Sequence, residues 1–509
     1  SQWKSGVSPT SQAALENQLD GVDSRPCARL NDVEPRLPED QATTRDYVAI
    51  FLVSAALMLF QISLTRLLSV VVWYHFAFLT ISMVMLGLGV PGVWFSFTAR
   101  PLRFLNPLLA VAGLSMPLAT VLLLRFGAQA PIWLIIVWVM PVTLSLGGVI
   151  CLLLIKARGL AITRMYGVDL VGACLGAVAV IPLMSILPTP DLLAGSGLLP
   201  LAALAILVTG RARVVTCGII IALLAAVELS GVFEVTQTKN YDEREVRPIY
   251  EKWTPTARLT VFDEGFFYLD DHRAGFTWGH GAGYPMEQRV LQYWLEQDSS
   301  AGTPITEFDG DLSKLHRLLF DVTAVGYDLL GPRGVAIVGS GGGRDVLTAL
   351  VAGAEDVDAI ELNGAIIDIV SGEFVELAGD VYNQPGVHAI ASEGRSYLTR
   401  TGKRYDLIQI SLIDSWAASV AGAFALAENN LYTIEAIELF WNRLSADGVL
   451  SISRWYHELP RLVVVMTAAA QQIGIADPSM HLVVIAADDA GTVLFSKKPF
   501  TRDQLDRLE

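Results

Sequence analysis

From Tyr47 to Phe233 the chain is a near-continuous apolar block, too long for one water-soluble core to bury. About 20 apolar residues cross a bilayer as a helix, because in hydrocarbon each backbone N–H and C=O must be satisfied within its own segment. By that measure the block holds seven candidate spans, at roughly 47–65, 71–97, 104–124, 131–155, 167–187, 190–209 and 214–233. A polytopic transmembrane domain over 47–233 is the expectation. The chain as a whole is 52% hydrophobic and 17% charged, but residues 234–509 have the mixed composition of a soluble domain. Two regimes imply one domain in lipid and one in water.

Residues 1–46 are polar, carry Pro and acidic residues, show no periodicity, and read as a disordered arm. The chain has no initiator Met and stops at Leu505 to Glu509 within what looks like an amphipathic helix, so a fragment of a longer protein is expected. Of the four cysteines, Cys27 stands alone and Cys151, Cys174 and Cys217 fall in the apolar block, without metal-type spacing or a pairing framework. Neither disulfides nor a metal site is expected. A net charge of −15 argues against a nucleic-acid partner, whose phosphates call for clustered Lys and Arg.

Within the block, Arg100 and Arg103, then Lys156, Arg158 and Arg164, then Arg211 and Arg213 mark alternate loops, which should face the cytoplasm of a bacterial inner membrane. Seven spans would then put residues 234 onward outside, away from any cofactor made in the cytosol. A re-entrant or differently split span, or a failure of the charge rule, removes the conflict, and a cytoplasmic soluble domain is the expectation carried forward. Gly172 and Gly176 form a GxxxG suited to close helix contact or simply to a small-residue face. Arg66, His75, Asp169 and Glu228 are the ionisable residues in or at the ends of spans; Arg66 and His75, beside Trp73 and Tyr74, suit interfacial anchoring.

The soluble half opens with strand-like runs between Tyr241 and His280, ARLTVFDE and GFFYLDD, giving a small β-rich subdomain and linker over 234–311. A helix over LSKLHRLLFDVTAVGYDLL then leads to VAIVGSGGGRD, Val335 to Asp345. Here a strand runs into Gly339, Ser340, Gly341 and Gly343, and a helix follows. Glycines at such a turn let a ligand reach backbone N–H groups that a Cβ would shield. The next strand, Val357 to Leu362, carries Glu361, 18 residues past Gly343, where a nucleoside cofactor presents its ribose hydroxyls. Further strands follow at Val387 to Ala391, ahead of Glu393-Gly394, at Tyr405 to Leu412, ahead of Asp414 and Trp416, and at Gly448 to Ser453. Helices alternate with them, and His481 to Ser496 reads as a terminal hairpin. This is a doubly wound, Rossmann-like α/β domain with an antiparallel edge, whose ligands bind at the carboxyl ends of the strands.

From about Tyr241 onward the chain resembles spermidine synthases, polyamine aminopropyltransferases on the class I S-adenosylmethionine (SAM) methyltransferase fold, and most of all the bacterial members with membrane spans in front. The resemblance rests on VAIVGSGGGRDVLTAL, AIELN, ASEGRSYL, YDLIQISLIDS and LYTIEAIELFWNRLSADGVLSIS. It implies a SAM-binding domain over 312–509 that takes SAM or decarboxylated SAM as cosubstrate, with Glu361 on the ribose and Glu393 near the adenine amine. A homo-oligomer, a dimer, is also expected.

Three departures fall at amine-handling positions. The family's D-x-x-D becomes Ser411 and Asp414, and its glycine-loop acid falls on Gly342, with Asp345 three residues on as a substitute of different geometry. Its Tyr-His-Glu falls on Leu315-His316-Arg317, where an Arg would repel a cationic amine. Serine replaces a carboxylate as a base only with an activating partner. The leading expectation is a membrane-anchored transferase with Asp414 and Ser411 at the catalytic strand. Its cofactor would meet Gly339, Ser340, Gly341, Gly343, Asp345, Glu361, Glu393 and Gly394, and its acceptor, a small amine or a lipid, His316, Trp416, Glu428 and Tyr432. Methyl transfer is an alternative. So is a SAM-regulated transporter or sensor without turnover, in which Arg66, Asp169 and Glu228 line a path. Dinucleotide binding is the weaker third.

Overall fold

The protein is represented by a computed structural model that describes residues 42–72, 77–229, 231–263, 276–281, 283–285, 290–413 and 428–508. The apolar block folds into helices α1 (Thr44–Val71), α2 (Ala77–Ser96), α3 (Leu105–Phe126), α4 (Ile132–Lys156), α5 (Leu160–Ile186), α6 (Thr189–Gly195), α7 (Leu198–Leu207) and α8 (Arg211–Leu229). Six helical stretches, with α6 and α7 counted together, are long and apolar enough to cross a membrane; α8 adds a further helix of 19 residues. The candidate at 190–209 is broken at Ser196 and Gly197, and that at 167–187 begins earlier, at Leu160. Leu170, Val171, Leu175, Val178 and Ile181 on α5 are exposed, an apolar outer face that suits lipid.

Gly172 and Gly176 do bring helices together. A Cβ on either would lie 2.5 Å from a backbone carbonyl oxygen of α1, at Phe51 and Ala55 respectively. Only glycine permits that approach. Asp169 is tied to the same helix through the Ser54 hydroxyl.

Among the described residues, the loops that carry Arg100 and Arg103, Lys156 and Arg158, and Arg211 lie at one end of the bundle. Lys156 meets Asp46 at the start of α1 at 2.7 Å, whereas the opposite ends of α1 and α3 meet the soluble domain. There Thr236 donates to the Leu124 carbonyl at 3.0 Å, Lys239 to that of Ser69 at 2.9 Å, and Arg66 to that of Thr256 at 2.6 Å. Arg66 also forms a buried ion pair with Asp298, so it joins the two domains rather than anchoring a helix at the lipid interface. His75 and the side chain of Glu228 lie outside the described residues.

The soluble half starts with a four-stranded antiparallel sheet, β1 (Tyr250–Trp253), β2 (Arg258–Phe262), β3 (Gln292–Gln297) and β4 (Ala301–Thr306), in that order. GFFYLDD lies outside the described residues, and the β3–β4 hairpin is an addition to the sequence reading. The expected helix over 312–330 is instead a 3₁₀ segment, Leu312–Phe320, then a break at Asp321, then α9 (Val325–Leu330). Asp321 is extended and caps the next turn by accepting from the Thr323 N–H at 3.0 Å, which ends the first segment.

The remaining elements alternate: β5 (Gly334–Val338), α10 (Arg344–Val351), β6 (Asp356–Glu361), α11 (Gly364–Ser371), β7 (Val387–Ala391), α12 (Gly394–Arg400), β8 (Tyr405–Ser411), α13 (Ile434–Arg443), β9 (Leu444–Trp455), α14 (Leu459–Ile473), β10 (Leu482–Ala487) and β11 (Ala490–Ser496). They build a seven-stranded sheet in the order β10-β11-β9-β8-β5-β6-β7, with β5 to β9 parallel and β11 antiparallel to β9 and β10. Strand order reverses between β5 and β8, so a crevice opens above their carboxyl ends. The class I α/β core and its terminal hairpin are thus as read from the sequence.

Candidate active site

The turn after β5 uses its glycines for a physical reason. Gly339, Gly341 and Gly343 have φ of +79°, +53° and +88°, a region that costs a side chain roughly 1–2 kcal/mol. Neighbours close on the same atoms: a Cβ on Gly342 would lie 2.3 Å from the Pro304 carbonyl of β4, and the Gly342 N–H donates to the Thr303 hydroxyl at 3.0 Å. The β3–β4 hairpin therefore forms one wall of the loop. The acid that the resemblance put at Gly342 could not fit beneath it.

Glu361 ends β6 and is buried. One of its carboxylate oxygens accepts from the Gly341 N–H and the other from the Asn363 N–H, each at 3.0 Å. Burial pushes its pKa up despite those bonds. The Leu362 N–H bears on the same carboxylate, and of its roughly four acceptor sites one is left for a further donor. Ser340 is buried and accepts from the Tyr382 hydroxyl at 3.0 Å. Glu393 caps α12, accepting from the N–H groups of Arg395 and Ser396 at 2.9 and 2.6 Å. A Cβ on Gly394 would meet Val338 of β5 at 2.4 Å, so this glycine seats α12 on the sheet.

At the end of β8, Ser411 accepts from Gln409 Nε2 at 2.9 Å and lies near enough to the carboxylate of Asp345, from the first turn of α10, to favour its ionised form. Asp345 is buried, and desolvation pushes its pKa up to about 6 against the opposing effects of Arg344 and Ser411. Sequence reasoning placed Asp345 and Ser411 separately; the fold brings them together. Arg344, beside Asp345, pairs with Asp321 at 2.6 Å, and Asp321 also accepts from the Trp278 N–H at 3.0 Å. Asp321 is absent from the sequence reading, which runs a single helix through it.

The acceptor candidates divide. His316 is exposed and turned to Phe320, with ring centroids 5.9 Å apart, whereas its neighbour Arg317 is buried. Tyr432 packs under the Arg454 guanidinium, 4.8 Å from its ring centroid. Asp414, Trp416 and the side chain of Glu428 lie outside the described residues. Among the described residues, one group of metal-ligand type, Asp356, Asp358 and His388, is bridged by the Lys403 ammonium, 3.1 Å from Asp356 and 2.9 Å from Asp358. It lies away from the carboxyl ends of the strands.

No family model matches the chain. Over 151 residues it is 27% identical to polyamine aminopropyltransferase 2 of Pseudomonas aeruginosa, covering 29% of this chain and 40% of that protein. Over 125 residues it is 26% identical to the polyamine aminopropyltransferase of Korarchaeum cryptofilum, covering 25% and 36%. The chain is similar to polyamine aminopropyltransferases. It spans less than half the length of these two relatives. Among solved structures, a spermidine synthase in complex with the transition-state analogue AdoDATO aligns over 51% of this chain and 75% of its own, with a TM-score of 0.32 and 16% identity. A probable spermidine synthase from Corynebacterium glutamicum aligns over 52% and 85%, with a TM-score of 0.34 and 13% identity. The aminopropyltransferase resemblance read from the sequence motifs is thus met by relatives of that name.

Proposed function

We propose that this chain is a membrane-anchored transferase that binds SAM or its decarboxylated form over the β5 glycine turn and transfers a group from it to an acceptor other than an ordinary polyamine. The observation that carries the reading is the turn itself, with its three left-handed glycines and Glu361 locked against Gly341. Similarity to polyamine aminopropyltransferases supports the same cosubstrate class. In such a transfer the acceptor's lone pair attacks a carbon next to the sulfonium, the carbon–sulfur bond breaks, and a neutral thioether leaves. Positioning supplies most of the acceleration, since effective molarities of oriented groups reach about 10⁵ M or more.

The acceptor must also lose a proton. We assign that proton to Asp345, whose carboxylate lies near Ser411, where the family keeps an acid. A group with a pKa of about 6 is mostly ionised at pH 7 and still basic enough to accept a proton. Asp414 is the second candidate. The test is turnover by the full chain in nanodiscs with either cosubstrate and a panel of amines and lipids. Release of thioether nucleoside, or of adenosylhomocysteine, lost in Asp345→Asn, is expected; no release from any combination refutes the transferase reading.

Charge supports an orientation for the anchor. Arg100, Arg103, Lys156, Arg158, Arg164, Arg211 and Arg213 belong to the end remote from the soluble domain, which favours that domain outside the cytoplasm, the reverse of the orientation expected from cofactor supply. The cosubstrate would then have to cross the membrane to reach it.

A further inference from the structure

Beside the Asp345–Ser411 pair, two arginines are buried with nitrogens unused. Arg344 and Arg317 are 3% and 5% exposed, yet Nε and Nη1 of Arg344 and Nη1 of Arg317 have no hydrogen-bond partner. Arg344 spends only Nη2, on Asp321. Arg317 pairs with no carboxylate among the described residues, and burial together with the Arg344 charge depresses its pKa. The two come from different elements, the 3₁₀ segment Leu312–Phe320 and the start of α10, and these two elements pack against each other. Buried donors left unsatisfied cost about 1–3 kcal/mol each, more when charged, and a fold tolerates them where a ligand completes them.

We propose that Arg317 and Arg344 form an anion-binding subsite next to the glycine turn, built for a carboxylate or phosphate group. The inference rests on the SAM-type reading for its neighbour but not for its chemistry. Guanidinium forks match planar or tetrahedral oxyanions, and a polyamine ammonium would be repelled. Two sources could supply the anion: the amino-acid carboxylate of intact SAM, which the decarboxylated form lacks, or an anionic acceptor.

The experiment uses the full chain in nanodiscs, as wild type, Arg317→Gln and Arg317→Lys, with inorganic phosphate as probe and thermal unfolding as readout. Millimolar phosphate is expected to raise the wild-type Tm and to leave Arg317→Gln unmoved, while unliganded Arg317→Gln melts no lower than wild type because it loses an uncompensated charge. If Arg317→Gln fails to fold, Arg317→Lys must keep a weakened phosphate response. Calorimetry then separates the sources. Intact SAM binding about tenfold tighter than decarboxylated SAM, about 1.4 kcal/mol, with the preference erased in Arg317→Gln, assigns the subsite to the cosubstrate. Equal affinities, with phosphate binding alongside either nucleoside, assign it to the acceptor. A wild type indifferent to phosphate, or an Arg317→Gln response equal to wild type, overturns the subsite even if both nucleosides bind. A phosphate response without nucleoside binding overturns the SAM-type reading and leaves the subsite standing.

Discussion

Replacing Asp345 by Asn should change how stability depends on pH, in a direction fixed by burial. The carboxyl has a pKa of about 6 in the fold against an ordinary 3.8. Below the ordinary value it is protonated whether folded or not, and contributes nothing. As pH rises from 3.8 the unfolded chain ionises first, the folded chain holds its proton, and stability falls; above 6 the loss is complete. At about 1.4 kcal/mol per pH unit the full loss is about 3 kcal/mol, of which about 2 kcal/mol falls between roughly pH 4.5 and 7.5. Asn does not titrate, so relative to wild type the variant should gain about 2 kcal/mol across that interval, whatever constant offset its amide introduces. Denaturant unfolding of the nanodisc-held chain, followed by tryptophan fluorescence at several pH values, measures this. A wild-type-minus-variant stability difference that is flat with pH, or that rises as pH rises, refutes the buried, raised carboxyl and with it the proton assignment.

Other outcomes follow from particular contacts. Arg66→Met should cost about 3–5 kcal/mol by stranding the Asp298 carboxylate, while adding Asp298→Asn, which removes the charge but keeps a residue that tolerates the left-handed backbone and can accept from the Arg258 N–H, should recover part of it; protease release of the soluble domain reports both. Gly176→Leu should disrupt the packing of α5 on α1, since even a Cβ there meets the Ala55 carbonyl at 2.5 Å, and detergent melting should show a marked loss against the lipid-facing control Leu175→Ala. Alkaline phosphatase fused after Glu509 should be active and a fluorescent protein fused there dark; the opposite pattern refutes the outward orientation.

The glycine turn was legible because three alternate positions need a left-handed backbone that only glycine adopts freely, and Glu361 because strand ends are readable from β-branched runs. The parallel core and terminal hairpin followed from the same periodicity. The β3–β4 hairpin was not legible: its turn places Asp298 and Ser299 at φ of 50° and 55° without a glycine, and the carboxylate of Asp298 is committed to Arg66 far back in the chain. Likewise, LSKLHRLLFDV has the apolar spacing of a helix, and only the engagement of Asp321 by Arg344 and Trp278 explains the break. Local pattern shows elements; charges buried between distant elements emerge only in the fold. The same limit hid the convergence of Asp345 with Ser411 and of Arg317 with Arg344.

The most direct test of the central claim is calorimetric titration of the full chain with SAM and with decarboxylated SAM, alongside Glu361→Ala. At least one nucleoside should bind the wild type, and Glu361→Ala should weaken it by about tenfold or more, the worth of hydrogen bonds to a charged acceptor. Binding of neither nucleoside, or equal binding by wild type and Glu361→Ala, would contradict the assignment of the glycine turn as a SAM-type site.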